Sequence, residues 1–234
     1  LFYERGATNR CEAVGIEVKH VVLPAGVTTA ELLSAIGALN ADDAVHGVLM
    51  FRPLPKHLDE KAACAALSPA KDVDGITAGS MAGVFMDSGE GYPPCTARSC
   101  MEILKYYNVA VSGKRAAVIG RSLVIGRPVA MLLMHANATV AVCHSKTENI
   151  PAVTRDADIV VAALGHAESV TAGYFTGKQT VLDVGINWSE KKKALVGDVD
   201  FAAAEPVVSA ITPVPGGVGS VTTAVLAAQV AEAA

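Results

Sequence analysis

Charged residues make up only 18% of the 234 residues and aromatic residues only 5%, with a single Trp. The formal net charge of −4 gives no electrostatic reason to expect nucleic acid or an anionic membrane as partner. No apolar run approaches the ~20 residues that a membrane span needs, and no basic-then-apolar leader opens the chain. The five cysteines, Cys11, Cys64, Cys95, Cys100 and Cys143, are odd in number, scattered and free of any C-x-x-C spacing. Neither a disulfide framework nor a zinc site is expected, and a reducing cytoplasm fits. His57, His135 and His166 show no ligand spacing, so no metal is expected. The chain also lacks an initiating Met and opens in what reads as the middle of a helix, so a preceding portion is expected to lie outside it.

What is present is apolar, 51% of the residues, and arranged with a beat. "EVKHVVLP" reads as a strand, "TTAELLSAIGALNAD" as a helix opened by a Thr cap, "VHGVLMF" as a strand and "LDEKAACAAL" as a helix. A loop-rich stretch from Leu54 to Tyr92 follows, then a helix in "ARSCMEILKYYNV". After it "GKRAAVIG", "ATVAVCH", "ADIVVAALG" and "QTVLDVGI" read as strands buried on both faces, as in a parallel sheet. The fold class expected is α/β, two α/β lobes around a cleft, the second of them a Rossmann-type parallel sheet.

"AAVIGRSLVIGRPVAMLL" carries the first chemical signal. A strand, a glycine turn and a helix N-terminus aim backbone N–H groups at a phosphate, yet the glycines are not spaced as G-x-G-x-x-G. A tight turn with a surface arginine is the alternative. At the end of the next strand "CHSKTEN" offers His144, Ser145, Lys146 and Thr147, with Glu148 the one nearby acid. An acid there holds the ribose hydroxyl of NAD, whereas basic and hydroxyl groups suit the 2′-phosphate of NADP, so the balance favours NADP over NAD.

Together "VIGRSLVIGRPVAMLL", "CHSKTEN", "LDVGIN", "VGDVDF" and "ITPVPGGVGSVTTAVL" resemble the methylenetetrahydrofolate dehydrogenase/cyclohydrolase family. In the first lobe "HGVLMFRPLPKHLDE", "KDVDGIT" and "PPCTARSCMEILKYY" match it in the same order. The resemblance implies a folate-binding catalytic domain over 1–107, an NAD(P)-binding domain over 108–217 and a C-terminal helix, 218–234, that packs back on the first domain. It implies a cofactor site of Gly120, Arg121, Ser122, Gly126, Pro128, His144, Ser145, Gly165, Gly185, Ile186 and Gly217. Arg121 and Ser145 would reach the 2′-phosphate. For the folate it implies Tyr3, stacking on the pterin, Asp74, hydrogen-bonding it, and Pro215 and Gly216. Cys95 reads as a small buried hydrophobe, Lys56 as a solvated surface charge, and Asp72 as a turn cap.

The chain departs from that pattern on the folate side. The family's Y-x-x-x-K places Tyr3 on its tyrosine but Ala7 on its catalytic lysine, and no lysine precedes Lys19. Its V-Q-L-P-L-P reads "MFRPLP", with Phe51 in place of the supporting glutamine. Ala97, Ser99, Ser220 and the "ITA" after Gly75 are further changes, and Phe51, Ala97 and Ser99 are expected to reshape the pocket. The activity implied is NADP-dependent oxidation of 5,10-methylenetetrahydrofolate to the methenyl cation, with cyclohydrolase activity weak or absent and a homodimer as the assembly. The alternatives are a dinucleotide-binding protein that no longer turns over folate and a dehydrogenase of another small substrate.

Overall fold

The computed structural model describes residues 2–234, which divide into two compact units, 2–95 with 223–234, and 96–222. In the first, α1 (Phe2–Ala13), α2 (Thr29–Ala41), α3 (Glu60–Ala66) and α4 (Ala78–Met86) follow one another. Helix α2 starts where the sequence caps it. Thr28 accepts the Glu31 N–H at 3.3 Å and Glu31 accepts the Thr28 N–H at 2.8 Å, a reciprocal capping box. Leu32 and Ile36 of α2 pack with Ala63 and Leu67 around α3. Thr77 caps α4 by accepting the Ser80 N–H at 3.1 Å.

The strands expected at 17–24 and 45–51 do not form ladders. Only an isolated bridge, Val48 to Asp72, occurs there among the described residues. Val21 and Val22 are exposed, so the first segment lacks the paired, half-buried setting that turns an extended β-branched run into a strand.

The second unit begins with α5 (Cys95–Tyr106), followed by β1 (Arg115–Ile119), α6 (Gly126–His135), β2 (Thr139–Cys143), α7 (Ile150–Asp156), β3 (Ile159–Ala162) and β4 (Thr180–Asp183). A two-stranded ribbon of β5 (Asn187–Ser189) and β6 (Ala194–Val196), the short α8 (Phe201–Ala204), β7 (Ala210–Ile211) and α9 (Val218–Ala233) complete the chain. The main sheet is parallel, in the order β2-β1-β3-β4-β7. Chain direction through the sheet reverses between β1 and β3, the switch point at which open α/β sheets take ligands. Val118, Val160, Val161 and Val181 have no exposure, which is why these strands read as unbroken apolar runs rather than alternating ones.

The unit boundaries fall at 95/96 and 222/223 rather than at the expected 107/108 and 217/218. The reason is α5, whose Ala97, Cys100, Ile103 and Leu104 share a core with Val118 of β1 and with Val129 and Leu133 of α6. Ala97 and Ser99 are fully buried in that helix.

Candidate functional site

In the second unit the strand ends β1, β2, β3 and β4 deliver four loops whose geometry is set by glycine and by side chains that cap the backbone. Gly120 follows β1 at φ 126°, and a Cβ there would overlap the carbonyl oxygen of Ala163, just past β3. Only glycine lets the two loops at the switch point lie this close. Gly126 opens α6, and a Cβ on it would overlap the Gly120 carbonyl, so this position too leaves room only for glycine. Ser122 accepts the Ile125 N–H at 3.2 Å and returns the chain into α6. Pro128 is buried in the first turn of that helix, where no intrahelical N–H is needed.

Arg121 and Arg127 are exposed, with the Arg127 Nε donating to the Arg121 carbonyl at 3.1 Å. At the end of β2 the His144 N–H donates to the Thr147 hydroxyl at 2.9 Å and the Lys146 N–H to His144 Nδ1 at 3.1 Å, leaving Ser145 and Lys146 exposed beside them. Gly165, after β3, takes φ 73° with open space at its Cβ position. A glycine-lined cradle at a helix N-terminus, ringed by arginine, lysine and serine, fits a dinucleotide that carries an additional phosphate.

The other cofactor residues named from the sequence are placed differently. Gly185 is buried, and the space of a Cβ there is filled by the Asp198 carboxylate, so packing inside the protein accounts for the glycine. The same holds for Gly217, where a Cβ would overlap the Pro213 carbonyl. Ile186, Pro215 and Gly216 are exposed. Sequence reading passed over Asp183 and Asp198, quoted only inside "LDVGIN" and "VGDVDF". Both are buried, and both accept backbone N–H groups from the loops just described. Burial pushes the Asp183 carboxyl up to about 6, against the backbone N–H groups of Val199, Asp198 and Gly185, which pull it down. The legible signal was glycine at 185 and 197, each making room for one of these carboxylates.

In the first unit Asp72 and Asp74 part company. Asp72 has no exposure and accepts the N–H groups of Ile76 at 2.9 Å and Thr77 at 2.7 Å and the Ser80 hydroxyl at 2.7 Å, the work of a turn cap. Asp74 accepts one hydrogen bond from the Cys95 N–H at 3.2 Å, and burial raises its pKa while the contact with Cys95 opposes that. Gly75 holds the turn at φ 61°, close against the backbone of Tyr92 to Pro94. Burial, and secondly the charge of Asp74, raise the pKa of Tyr3. The Tyr3 ring meets Phe51 edge-on, with centroids 6.3 Å apart and planes at 87°. Ala7, one turn further along α1, is only 4% exposed. Tyr3, Ala7, Phe51 and Asp74 therefore belong to one unit.

Cys95 is buried with its thiol on the Val73 carbonyl at 3.1 Å, Lys56 is exposed, and His57 contacts the Val27 carbonyl at 3.1 Å. Among the described residues no three His, Cys, Asp or Glu side chains gather as metal ligands, and no helix is long and apolar enough to cross a membrane.

Comparison with known proteins accords with this geometry. Residues 94–234 match the tetrahydrofolate dehydrogenase/cyclohydrolase NAD(P)-binding domain, and residues 1–74 match the catalytic domain of the same name. The bifunctional protein FolD of Carboxydothermus hydrogenoformans is 50% identical over 227 residues, which are 97% of this chain and 79% of that protein. The crystal structure of the bifunctional FolD enzyme of Campylobacter jejuni superposes with a TM-score of 0.96 at 38% identity, covering 99% of this chain and 82% of that one. The Trypanosoma brucei FolD structure, complexed with NADP cofactor and inhibitor, gives a TM-score of 0.91 at 36% identity, covering 99% and 81%. The chain belongs to the tetrahydrofolate dehydrogenase/cyclohydrolase family.

Proposed function

We propose that this protein oxidises 5,10-methylenetetrahydrofolate to 5,10-methenyltetrahydrofolate with NADP, and that hydrolysis of the product to 10-formyltetrahydrofolate is weak or absent. The observation that carries this reading is the pairing of a buried Ala7 with Phe51 edge-on to Tyr3, where the family has a lysine and its glutamine. Bound NADP supplies the hydride acceptor. The first-unit side chains then need only hold the folate, Tyr3 by stacking and Asp74 by accepting hydrogen bonds from the pterin amide and amine. No proton need move for hydride to leave the methylene bridge. Hydrolysis is different, since water adding to the methenyl carbon must lose a proton to a group of tunable basicity. The methyl group of Ala7 cannot accept one, and the Phe51 ring offers no hydrogen bond to a replacement.

Arg121 and Ser145 hold the 2′-phosphate in this reading, while Gly120, Ser122, Gly126, Pro128, His144 and Gly165 shape the loops around the pyrophosphate and nicotinamide. Ile186, Pro215 and Gly216, all exposed, contact the ligands in this reading, while Gly185 and Gly217 act from behind by accommodating Asp198 and the Pro213 carbonyl. A homodimer in the cytoplasm completes it. Strand β2, at the sheet edge with Ala141 and Val142 exposed, is the surface a second copy would cover, and sedimentation as a monomer at working concentration would retire that part.

The test is a product-resolved assay of the full-length protein at neutral pH with 5,10-methylenetetrahydrofolate and NADP. Methenyl product should accumulate with the nicotinamide reduced in step. Failure to form either product, also with NAD, would overturn the folate reading in favour of a binding protein or a different substrate.

A further inference from the structure

Apart from the groups assigned to ligands, the second unit buries a carboxylate that accepts four hydrogen bonds. Asp198 has no exposure. Its Oδ2 accepts the N–H groups of Leu164 at 2.5 Å and Gly165 at 3.0 Å, and its Oδ1 accepts the His166 N–H at 2.9 Å and the Asn187 side-chain amide at 2.9 Å. Three consecutive backbone N–H groups turned to one point form an anion-binding nest, here filled by the protein's own carboxylate. Asp198 is itself anchored. Its N–H donates to Asp183 Oδ1 at 2.9 Å, and the neighbouring Val199 N–H donates to Asp183 Oδ2 at 2.9 Å. Asp183 also takes the Gly185 N–H at 3.1 Å, and its own N–H donates to the Thr212 hydroxyl at 2.8 Å. The ends of β3, β4 and β7 are thus tied to two buried carboxylates.

We propose that Asp198 is a positioning residue for the dinucleotide, holding the loop at 164–166 so that the Gly165 backbone meets the nicotinamide half of the cofactor. The proposal rests on the NADP reading above. The loop has no regular secondary structure, Gly165 and His166 are exposed, and Gly165 stands at φ 73° with nothing filling its Cβ position. Such a segment keeps one conformation only if something beneath it fixes its N–H groups, and Asp198 takes three in a row. Four donors on two oxygens require a group that only accepts. The isosteric amide would set an NH2 against them, so Asp198→Asn changes the chemistry at constant volume.

The experiment combines amide hydrogen exchange on the cofactor-free, full-length protein with NADP titration and separate KM values for NADP and folate. In Asp198→Asn, exchange at residues 164–166 should rise about 100-fold over wild type while exchange in β1 and β2 stays put. The NADP Kd and KM should each rise about 10-fold and the folate KM less than about 2-fold, as expected for losing one buried, charge-assisted contact. If that variant does not fold, Asn187→Ala, which removes a single donor, should show the same pattern at about 3-fold. Loosened exchange with unchanged NADP affinity would overturn the proposal, as would parallel rises in both KM values with exchange increasing throughout the unit. Wild-type protein that binds no NADP would instead strike at the cofactor reading, and the exchange pattern would still report whether Asp198 holds the loop.

Discussion

Gly120 in the second unit and Phe51 in the first both stand in segments assigned to ligands, yet different things fix them. Gly120 is dictated by its own backbone, since φ 126° and the Ala163 carbonyl leave no room for a side chain. Phe51 is held by one edge-on ring contact with Tyr3 and is 45% exposed, so a different residue would disturb little of the packing. A site written in backbone geometry resists substitution, while a site written in side chains can lose a reaction without losing its fold. That asymmetry separates Gly120, which its own backbone dictates, from Phe51, which it does not.

The largest effect that could break this comparison is expected at Gly120→Ala. Overlap with a carbonyl oxygen in a left-handed conformation should cost about 3 kcal/mol in urea unfolding and abolish measurable NADP binding. A stable variant with normal NADP affinity would show that the backbone constraint is illusory. Next is the double change Ala7→Lys with Phe51→Gln, which should raise methenyl hydrolysis about 100-fold over the parent, the scale of one proton-shuttling group. Ala7→Lys alone should gain far less, because a buried ammonium would lack its amide partner. Asp74→Asn should raise the folate KM about 10-fold and leave the NADP KM unchanged, which steady-state kinetics in both substrates would resolve.

The smallest effect concerns pH. Asp183 titrates at about 6 in the folded protein against 3.8 unfolded, so between those values the folded state holds more proton. Its contribution to stability is therefore fully present below pH 3.8 and is lost as pH rises through 6. This group alone should make the protein about 1 kcal/mol more stable at pH 5 than at pH 7. Comparing the slope of unfolding free energy against pH for wild type and Asp183→Asn isolates it, and identical slopes would contradict the assignment.

Strands β1, β3 and β4 were legible in sequence because burial on both faces writes itself as Val and Ile runs, whereas β2, expected to be buried in the same way, is exposed at Thr139, Ala141 and Val142. "GKRAAVIG", "ATVAVCH", "ADIVVAALG" and "QTVLDVGI" became β1 to β4. The helix start at Thr28 was legible too, since the capping oxygen and its N–H donor lie three residues apart. The first-unit strands were misread because β-branched composition says nothing about whether a ladder partner exists, and Val22 is 87% exposed. Asp183 and Asp198 escaped notice because their donors at 164–166 and 185 are distant in sequence or are backbone groups, which leave no trace in side-chain patterns.

The claim that dehydrogenation and hydrolysis have separated in this protein is tested most directly by supplying the second substrate itself. Purified 5,10-methenyltetrahydrofolate, incubated at neutral pH with and without the full-length enzyme and NADP, should hydrolyse at the buffer rate in both cases while the same preparation oxidises the methylene substrate. Saturable acceleration of hydrolysis by the enzyme would contradict the account, because it would require a proton-handling group that the proposed reading leaves out.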